Sequence, residues 1–334
     1  MKKILLATTM LASAAGYAAA DVAVSGDARM GVVSYEGNST FDSRVRISFS
    51  GSGTTDGGLA FGGSIRADNA GDGADGTAGS VFISGAFGKI SMGDVDSGDA
   101  AAVGQLSSVG YEGLGSGNSI GYAADGGFIG FGDNDLDLGS GGAKVLYTYS
   151  AGALTISASS GQLTNNDYYS SQTYGVGASY TAGDLTVAVG YGSNELTGEY
   201  WDYWDDYDAS ASVTDVSASV KYAMGDTTIK AIYQDKSADI SYDGDSWNLG
   251  SMVTMGASVD HKINALKVTA YSISSDFSSD YYEFDATLNR YGVGVAYDLG
   301  GGATFKAGWA EIEAIDYYDT YTESAVDAGV NFSF

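Results

Sequence analysis

From Asp21 to Phe334, apolar residues return at every second position, in short runs separated by glycine-rich turns. A period of two belongs to a β-sheet with one face against something apolar and the other against water. Val326, Ala328, Val330, Phe332 and Phe334 show it at the C-terminus, and Tyr291, Val293, Val295 and Tyr297 repeat it upstream. The positions between them carry Asp327, Asn331, Arg290 and many glycines and serines, too small and polar to fill an interior. A closed barrel in lipid satisfies both faces, because lipid takes the apolar side and a water-filled lumen takes the polar side.

Residues 1–20 read as a secretory signal peptide. Lys2 and Lys3 precede an apolar stretch from Ile4 to Ala15, and Ala18-Ala19-Ala20 offers a small-residue cleavage site before Asp21. The stretch is short for a membrane anchor. Residues 21–334 then form one barrel domain, since no proline-rich linker or composition shift divides them. The chain has 50 glycines, no proline and no cysteine. Without cysteine no disulfide framework can hold an exported chain, and without proline every strand can be a central one. Removing residues 1–20 leaves 13 cations against 42 acids, a net charge of −29, which argues against nucleic acid and other polyanions as partners.

Sixteen strands are expected, near 22–34, 43–50, 59–68, 78–87, 88–94, 143–151, 153–162, 172–181, 184–193, 213–224, 226–237, 250–262, 264–275, 285–298, 302–313 and 323–334. Most have the length a tilted strand needs to cross a bilayer, about 9 to 11 residues. Links from even to odd strands are tight, whereas those from odd to even are longer, polar and acidic, as in 194–212. Short turns on the periplasmic side and long loops outside are what outer-membrane barrels show. Cations follow the same parity. Arg44 and Arg46 alternate with Val45, Ile47 and Phe49, and Arg29, Arg66, Lys230, Lys267, Arg290 and Lys306 likewise point away from the lipid.

The opening Asp21-Val-Ala-Val-Ser-Gly-Asp-Ala-Arg-Met-Gly-Val, the strand Arg44-Val-Arg46-Ile-Ser-Phe, the approach Phe87-Gly-Lys-Ile-Ser-Met-Gly-Asp94 and the terminal Phe334 resemble the alphaproteobacterial general-diffusion porins known from photosynthetic bacteria. The resemblance covers the whole of 21–334. It implies a Gram-negative outer-membrane protein, a sixteen-stranded antiparallel barrel in a homotrimer, and a long third loop folded into the pore. The partners it implies are lipid, lipopolysaccharide, and the ions and small hydrophilic solutes that diffuse through.

The third loop, 95–142, has no lysine or arginine. With Asp94 at its start it carries Asp96, Asp99, Glu112, Asp125, Asp133, Asp135 and Asp137. Its apolar residues, among them Leu106, Val109, Tyr111, Leu114, Ile120, Tyr122, Phe128 and Phe131, are too frequent for a solvated loop and suggest packing against a wall. Placed inside the barrel as the resemblance implies, the loop sets an acidic rim opposite Arg29, Arg44, Arg46 and Arg66, with a transverse field between them. Asp133-Asn134-Asp135-Leu136-Asp137 is no EF-hand, because Leu138 stands where glycine is needed and Lys144 where the bidentate glutamate belongs. The resemblance implies that calcium can still bridge Asp133, Asp135 and Asp137. Tyr200, Trp201, Tyr203, Trp204 and Tyr207 form a further aromatic group, suited to lipopolysaccharide, a neighbouring subunit, packing within the loop or a sugar ring.

An enzyme is the competing class. A hydrolase needs a base beside its nucleophile, and the single histidine, His261, has the parity of Val259 and Ala257, facing outward near a tight turn. No enzymatic activity and no required cofactor are therefore expected. A solute-specific channel or a surface adhesin stays open as the alternative. Phe334 is expected to close the sheet against the first strand near Val22 and Val24, and the resemblance adds a role for it in assembly.

Overall fold

The computed structural model describes residues 21–68, 78–111, 114, 117–126, 144–161, 164–165, 169–201, 206–316 and 319–334. Sixteen strands run through them. They are β1 (Asp21–Tyr35), β2 (Asn38–Thr54), β3 (Ala60–Asp68), β4 (Ala78–Gly85) and β5 (Gly88–Gly93). After the third loop come β6 (Lys144–Ala151), β7 (Leu154–Gly161, continued by Thr164–Asn165), β8 (Tyr169–Ala182), β9 (Leu185–Trp201) and β10 (Asp206–Met224). The last six are β11 (Thr227–Tyr242), β12 (Asp245–Ile263), β13 (Leu266–Ser279), β14 (Phe284–Gly300), β15 (Ala303–Asp316) and β16 (Thr320–Ser333).

Each strand pairs antiparallel with the next, and β1 pairs with β16, so the sheet is closed. Closure matters because hydrocarbon offers no partner to an edge strand's backbone groups. No helix among the described residues is long and apolar enough to cross a membrane. The outward row of every strand is apolar and exposed: Met30 at 60%, Val81 at 59% and Met255 at 57% stand for the rest. Aromatic residues edge this band, with Tyr180, Tyr222, Tyr297 and Phe305 near the short turns and Tyr174, Tyr191, Tyr233 and Trp309 further from them on β8, β9, β11 and β15.

The periplasmic turns are as tight as expected. Gly152, Gly183 and Gly225 take φ near +60° (61°, 59° and 55°), which lets two residues reverse the chain. The external side departs from expectation. The segments 35–42 and 238–249 are not loops, because β1 and β2 meet at Glu36-Gly37 and β11 and β12 at Asp243-Gly244, all four with positive φ. Likewise 194–212 is strand up to Trp201 and again from Asp206. Ladder hydrogen bonds and hydroxyl pairs such as Ser170 with Thr197 carry these hairpins beyond the apolar band, where water tolerates polar side chains on both faces. One irregularity lies in β12, where Leu249 is an extra residue opposite Ala238 and Asp239 and turns inward.

Closure at the C-terminus also differs in register. Phe334 exchanges backbone hydrogen bonds with Gly26, of 2.9 and 2.7 Å, rather than lying by Val22 and Val24. The pairings Met30 with Val330 and Val32 with Ala328 set this alignment. Gly26 faces outward beneath the Phe334 ring, where any side chain would strike it. Residues Asp21–Ser25 therefore pair with β2 alone.

The parity generates a direct test. Val45→Arg places a cation on the lipid face and should cost roughly 2–4 kcal/mol of folding free energy in vesicles. Ser48→Arg, three residues on and facing the lumen, should cost far less. Urea titrations in lipid that give equal losses would contradict the assignment of faces.

Candidate functional site: a hairpin seated on the lumen wall

The third loop leaves β5 at Gly93, where φ is 117°, and turns onto the inner wall. Ser97 starts a short helix, α1 (Gly98–Val103), which Gly104 ends with φ of 64°. The segment 97–111 then follows the wall across β8 to β16. The segment 117–126 returns along it to β6. Gln105 ties the two limbs, donating to the Ile120 carbonyl at 2.8 Å and accepting from its N–H at 2.7 Å. Asn118 donates to the Leu106 carbonyl and the Tyr122 hydroxyl to that of Gly104.

Glycines of the wall make the seat. A Cβ on Gly177 would lie 2.5 Å from that of Ala102, and one on Gly190 would lie 2.8 Å from that of Asp99. At Gly175 it would overlap Asp99, and at Gly192 it would sit 2.5 Å from Asp99 Oδ2 and 2.8 Å from Asp215 Oδ1. Further round, Gly294 and Gly308 face Gly110, while Gly31 and Gly329 face Tyr111. A larger residue at any of these positions would hold the hairpin off the wall.

Between hairpin and wall lies the hydrophobic core. Val103, Leu106, Val109, Tyr111, Leu114, Ile120 and Tyr122 are buried there against inward-facing Val33, Ala188, Ile232, Tyr271, Ile273 and Ala310. Truncating one such side chain, for example Leu106→Ala, removes about 2–5 kcal/mol. Polar anchors fix the path. Lys230 donates to the carbonyls of Val103 at 2.6 Å and Gln105 at 3.0 Å, Arg290 to that of Ser119 at 2.7 Å, and Gln234 to that of Gly121 at 2.9 Å. Asp215 accepts from the Ala123 N–H at 2.7 Å.

Tyr111 is the far anchor. Its N–H donates to Asp327 at 2.8 Å, its hydroxyl donates to Asp42 at 3.0 Å, and its carbonyl accepts from Asn331 at 3.2 Å. Arg29 pairs with Asp42 at 2.9 Å and lies 5.7 Å from the centre of the Tyr111 ring. These contacts all lie on the face opposite the apolar rows. The hairpin is therefore inside the barrel and narrows it.

A family model for Gram-negative porins matches residues 7–331. The porin of Rhodobacter capsulatus is 34% identical over 94% of this chain and all of its own length. The chain belongs to the Gram-negative porins. A solved porin structure superposes with a TM-score of 0.68 at 33% identity, covering 94% of this chain and all of that one. OmpT of Vibrio cholerae, in its trimer form, superposes with a TM-score of 0.71 over 95% of this chain and all of its own, and at 17% identity it shows the fold alone. The porin spans the outer membrane many times and forms a channel through which ions and small hydrophilic solutes diffuse.

In this porin the expected rim acids have unlike positions. Asp94 and Asp96 are exposed on the hairpin's approach. Asp125 is spent on structure, accepting from the Ser97 N–H at 2.9 Å and pairing with Lys144 at 3.1 Å. Asp99 does not line the pore: it is fully buried beneath α1, against the wall, because the helix turns its charged side onto the glycine seat. Glu112, Asp133, Asp135 and Asp137 lie outside the described residues, and the calcium expectation lies there with the last three. Arg44 holds Asp27 at 3.3 Å as Arg29 holds Asp42, so the arginine wall is interleaved with acids. Asp27 and Asp42 were legible as inward positions, two residues from Arg29 and Arg44, and belong to the same rim. His261 meets Thr227 at 2.8 Å on the outward face.

Burial raises the Asp99 carboxyl to about 6, helped by the nearby Asp215 charge and opposed by a Ser97 hydrogen bond. Partial desolvation beside the hairpin raises Asp96 as well, followed by repulsion from Asp125. A carboxyl whose folded value exceeds its unfolded 3.8 takes up a proton on seating. The helix therefore seats more firmly as pH falls from about 6 toward 3.8, and loosens as pH rises through that window. Amide exchange of Ala100–Val103, corrected for intrinsic rates, should slow in wild type across this range. Asp99→Asn should remain protected throughout, and a pH-independent wild type would contradict the assignment.

Proposed function

We propose that this porin is a general-diffusion pore with a weak preference for cations. The supporting observation is the uneven state of the charges at the narrow level. Asp94 and Asp96 are exposed on the hairpin's approach, whereas Arg29 and Arg44 are engaged by Asp42 and Asp27. A surface potential of that sign enriches cations where the pore is tightest. The alternative of a solute-specific channel calls for a fixed polar recognition site, and wall groups near the hairpin such as Lys230, Gln234, Asp215 and Arg290 are instead used in holding it.

We further propose a homotrimer built on the low part of the wall. Strands β3, β4 and β5 have only nine, eight and six residues. An outward groove of about 500 Å³ crosses β1 to β5 there, with Val22, Phe49, Ile65, Val81 and Met92 around Gly63 and Gly79. Such an apolar, small-residue surface favours close approach of another barrel. The trimer form of the Vibrio cholerae relative supports the reading.

One recording tests both. In a planar bilayer with a potassium chloride gradient at low salt, the reversal potential should favour potassium. The preference should fade near 1 M, where the Debye length is about 3 Å. Each insertion should close in three equal levels. Anion preference at low salt would contradict the selectivity, single closing levels the trimer, and a submillimolar inhibition constant for one sugar or anion the general-diffusion reading.

A further inference from the structure

The seven lysines and arginines of β10–β16 are not spread evenly along the strands. Five of them, Lys221, Lys230, Lys262, Lys267 and Lys306, lie within three residues of a periplasmic strand end. The ladder sets Lys221 opposite Lys230 and Lys262 opposite Lys267, and both Lys267 and Lys306 pair with Ala296. By parity all five face the lumen. The inward acids beside them are Asp260, which holds Lys267 at 3.1 Å and the Ser107 hydroxyl, Asp298, which accepts from the Gly300 N–H, and Asp327, which attracts Lys306 from the neighbouring strand; Asp226 lies in the turn. Lysine thus prevails on this arc, from the level at which Lys230 grips the hairpin down to the periplasmic turns.

The external ends of the same strands have the opposite sign. By parity Asp245 and Glu323 face inward there and Asp239, Asp276, Asp285 and Glu313 ring the outer side of the mouth, and the only cations of β10–β16 beyond the periplasmic row are Lys236, which is buried, and Arg290, which holds the hairpin.

We infer that the pore is axially polarised, with an acidic external mouth and a lysine-lined periplasmic vestibule on either side of the hairpin, and that it therefore rectifies ion current. The inference rests on the channel described above. The external half holds excess cations and the periplasmic half excess anions. A positive external potential drives cations inward from their reservoir and anions outward from theirs, so both fill the narrow middle and conductance rises. The reverse polarity empties it. Lysines at the periplasmic mouth also give anions arriving from that side a lower barrier to entry.

The test uses the full porin in a planar bilayer. Because the chain has no cysteine, Asp243→Cys on the external turn reports the orientation of each channel through one-sided access of a charged thiol reagent. In 0.1 M potassium chloride, conductance should be about twofold higher with the external side positive, and it should become symmetric at 1 M, where screening confines each charge to about 3 Å. Lys221→Gln, Lys262→Gln and Lys306→Gln together should make the 0.1 M curve nearly linear. This variant spares Lys230 and Lys267, and unchanged heat-resistant oligomers on a gel verify the fold. A linear wild-type curve at 0.1 M in a conducting, cation-preferring channel would overturn the inference and leave the selectivity standing. Undiminished rectification in the triple variant would overturn the role of the lysines.

Discussion

Backbone hydrogen bonding in hydrocarbon governs everything else in this structure. A strand in lipid has no water to fall back on, so the sheet closes through β1 and β16 before any side chain matters. Once it is closed, the apolar row of each strand faces outward at no cost, and the protein has no conventional core between layers. The wall alone could stand empty. It is the third loop that gives the barrel an interior, with apolar contacts of the kind a soluble domain makes between its elements.

That interior depends on the absence of side chains as much as on their presence. Two neighbouring strands present Gly175, Gly177, Gly190 and Gly192 to α1, and four more inward glycines face Gly110 and Tyr111. Glycine in a strand weakens it locally. Here the weakening is offset by the close approach it permits, which buries the helix and the carboxyl of Asp99 together. Inward apolar residues such as Ile232, Ile273 and Val33, which break the polar-in rule, lie where the hairpin covers them.

The strands were legible because their signal is local: a period of two and tight turns place all sixteen, and the parity of Arg44 and Val45 follows. Two hairpins, at Glu36-Gly37 and Asp243-Gly244, were hidden by polar surroundings, although Asp-Gly between pairing segments is itself a turn signal. The hairpin's burial was legible in Leu106, Val109, Tyr111 and Ile120, which have no reason to exist in a solvated loop. Its path was not, since partners such as Tyr111 and Asp327 are separated by 216 residues and nothing local links them. For the same reason Asp99 reads as a rim acid in sequence and is a buried anchor in three dimensions. Glycines read as lumen spacers are contact surfaces, a distinction that only the neighbour across the gap supplies.

The central claim is that the hairpin is held flat against the inner wall by fitted contacts, and cross-linking it to that wall tests the claim most directly. Val109 is fully buried, and a Cβ on Gly294 of β14 would lie 2.9 Å from that of Val109. In the cysteine-free chain, Val109→Cys with Gly294→Cys should form a disulfide in assembled porin after a small relaxation. Conductance should be the same oxidised and reduced, because the link fixes a position the loop already holds. Failure to cross-link, or a large change in conductance on oxidation, would mean that the hairpin lies elsewhere in the working channel.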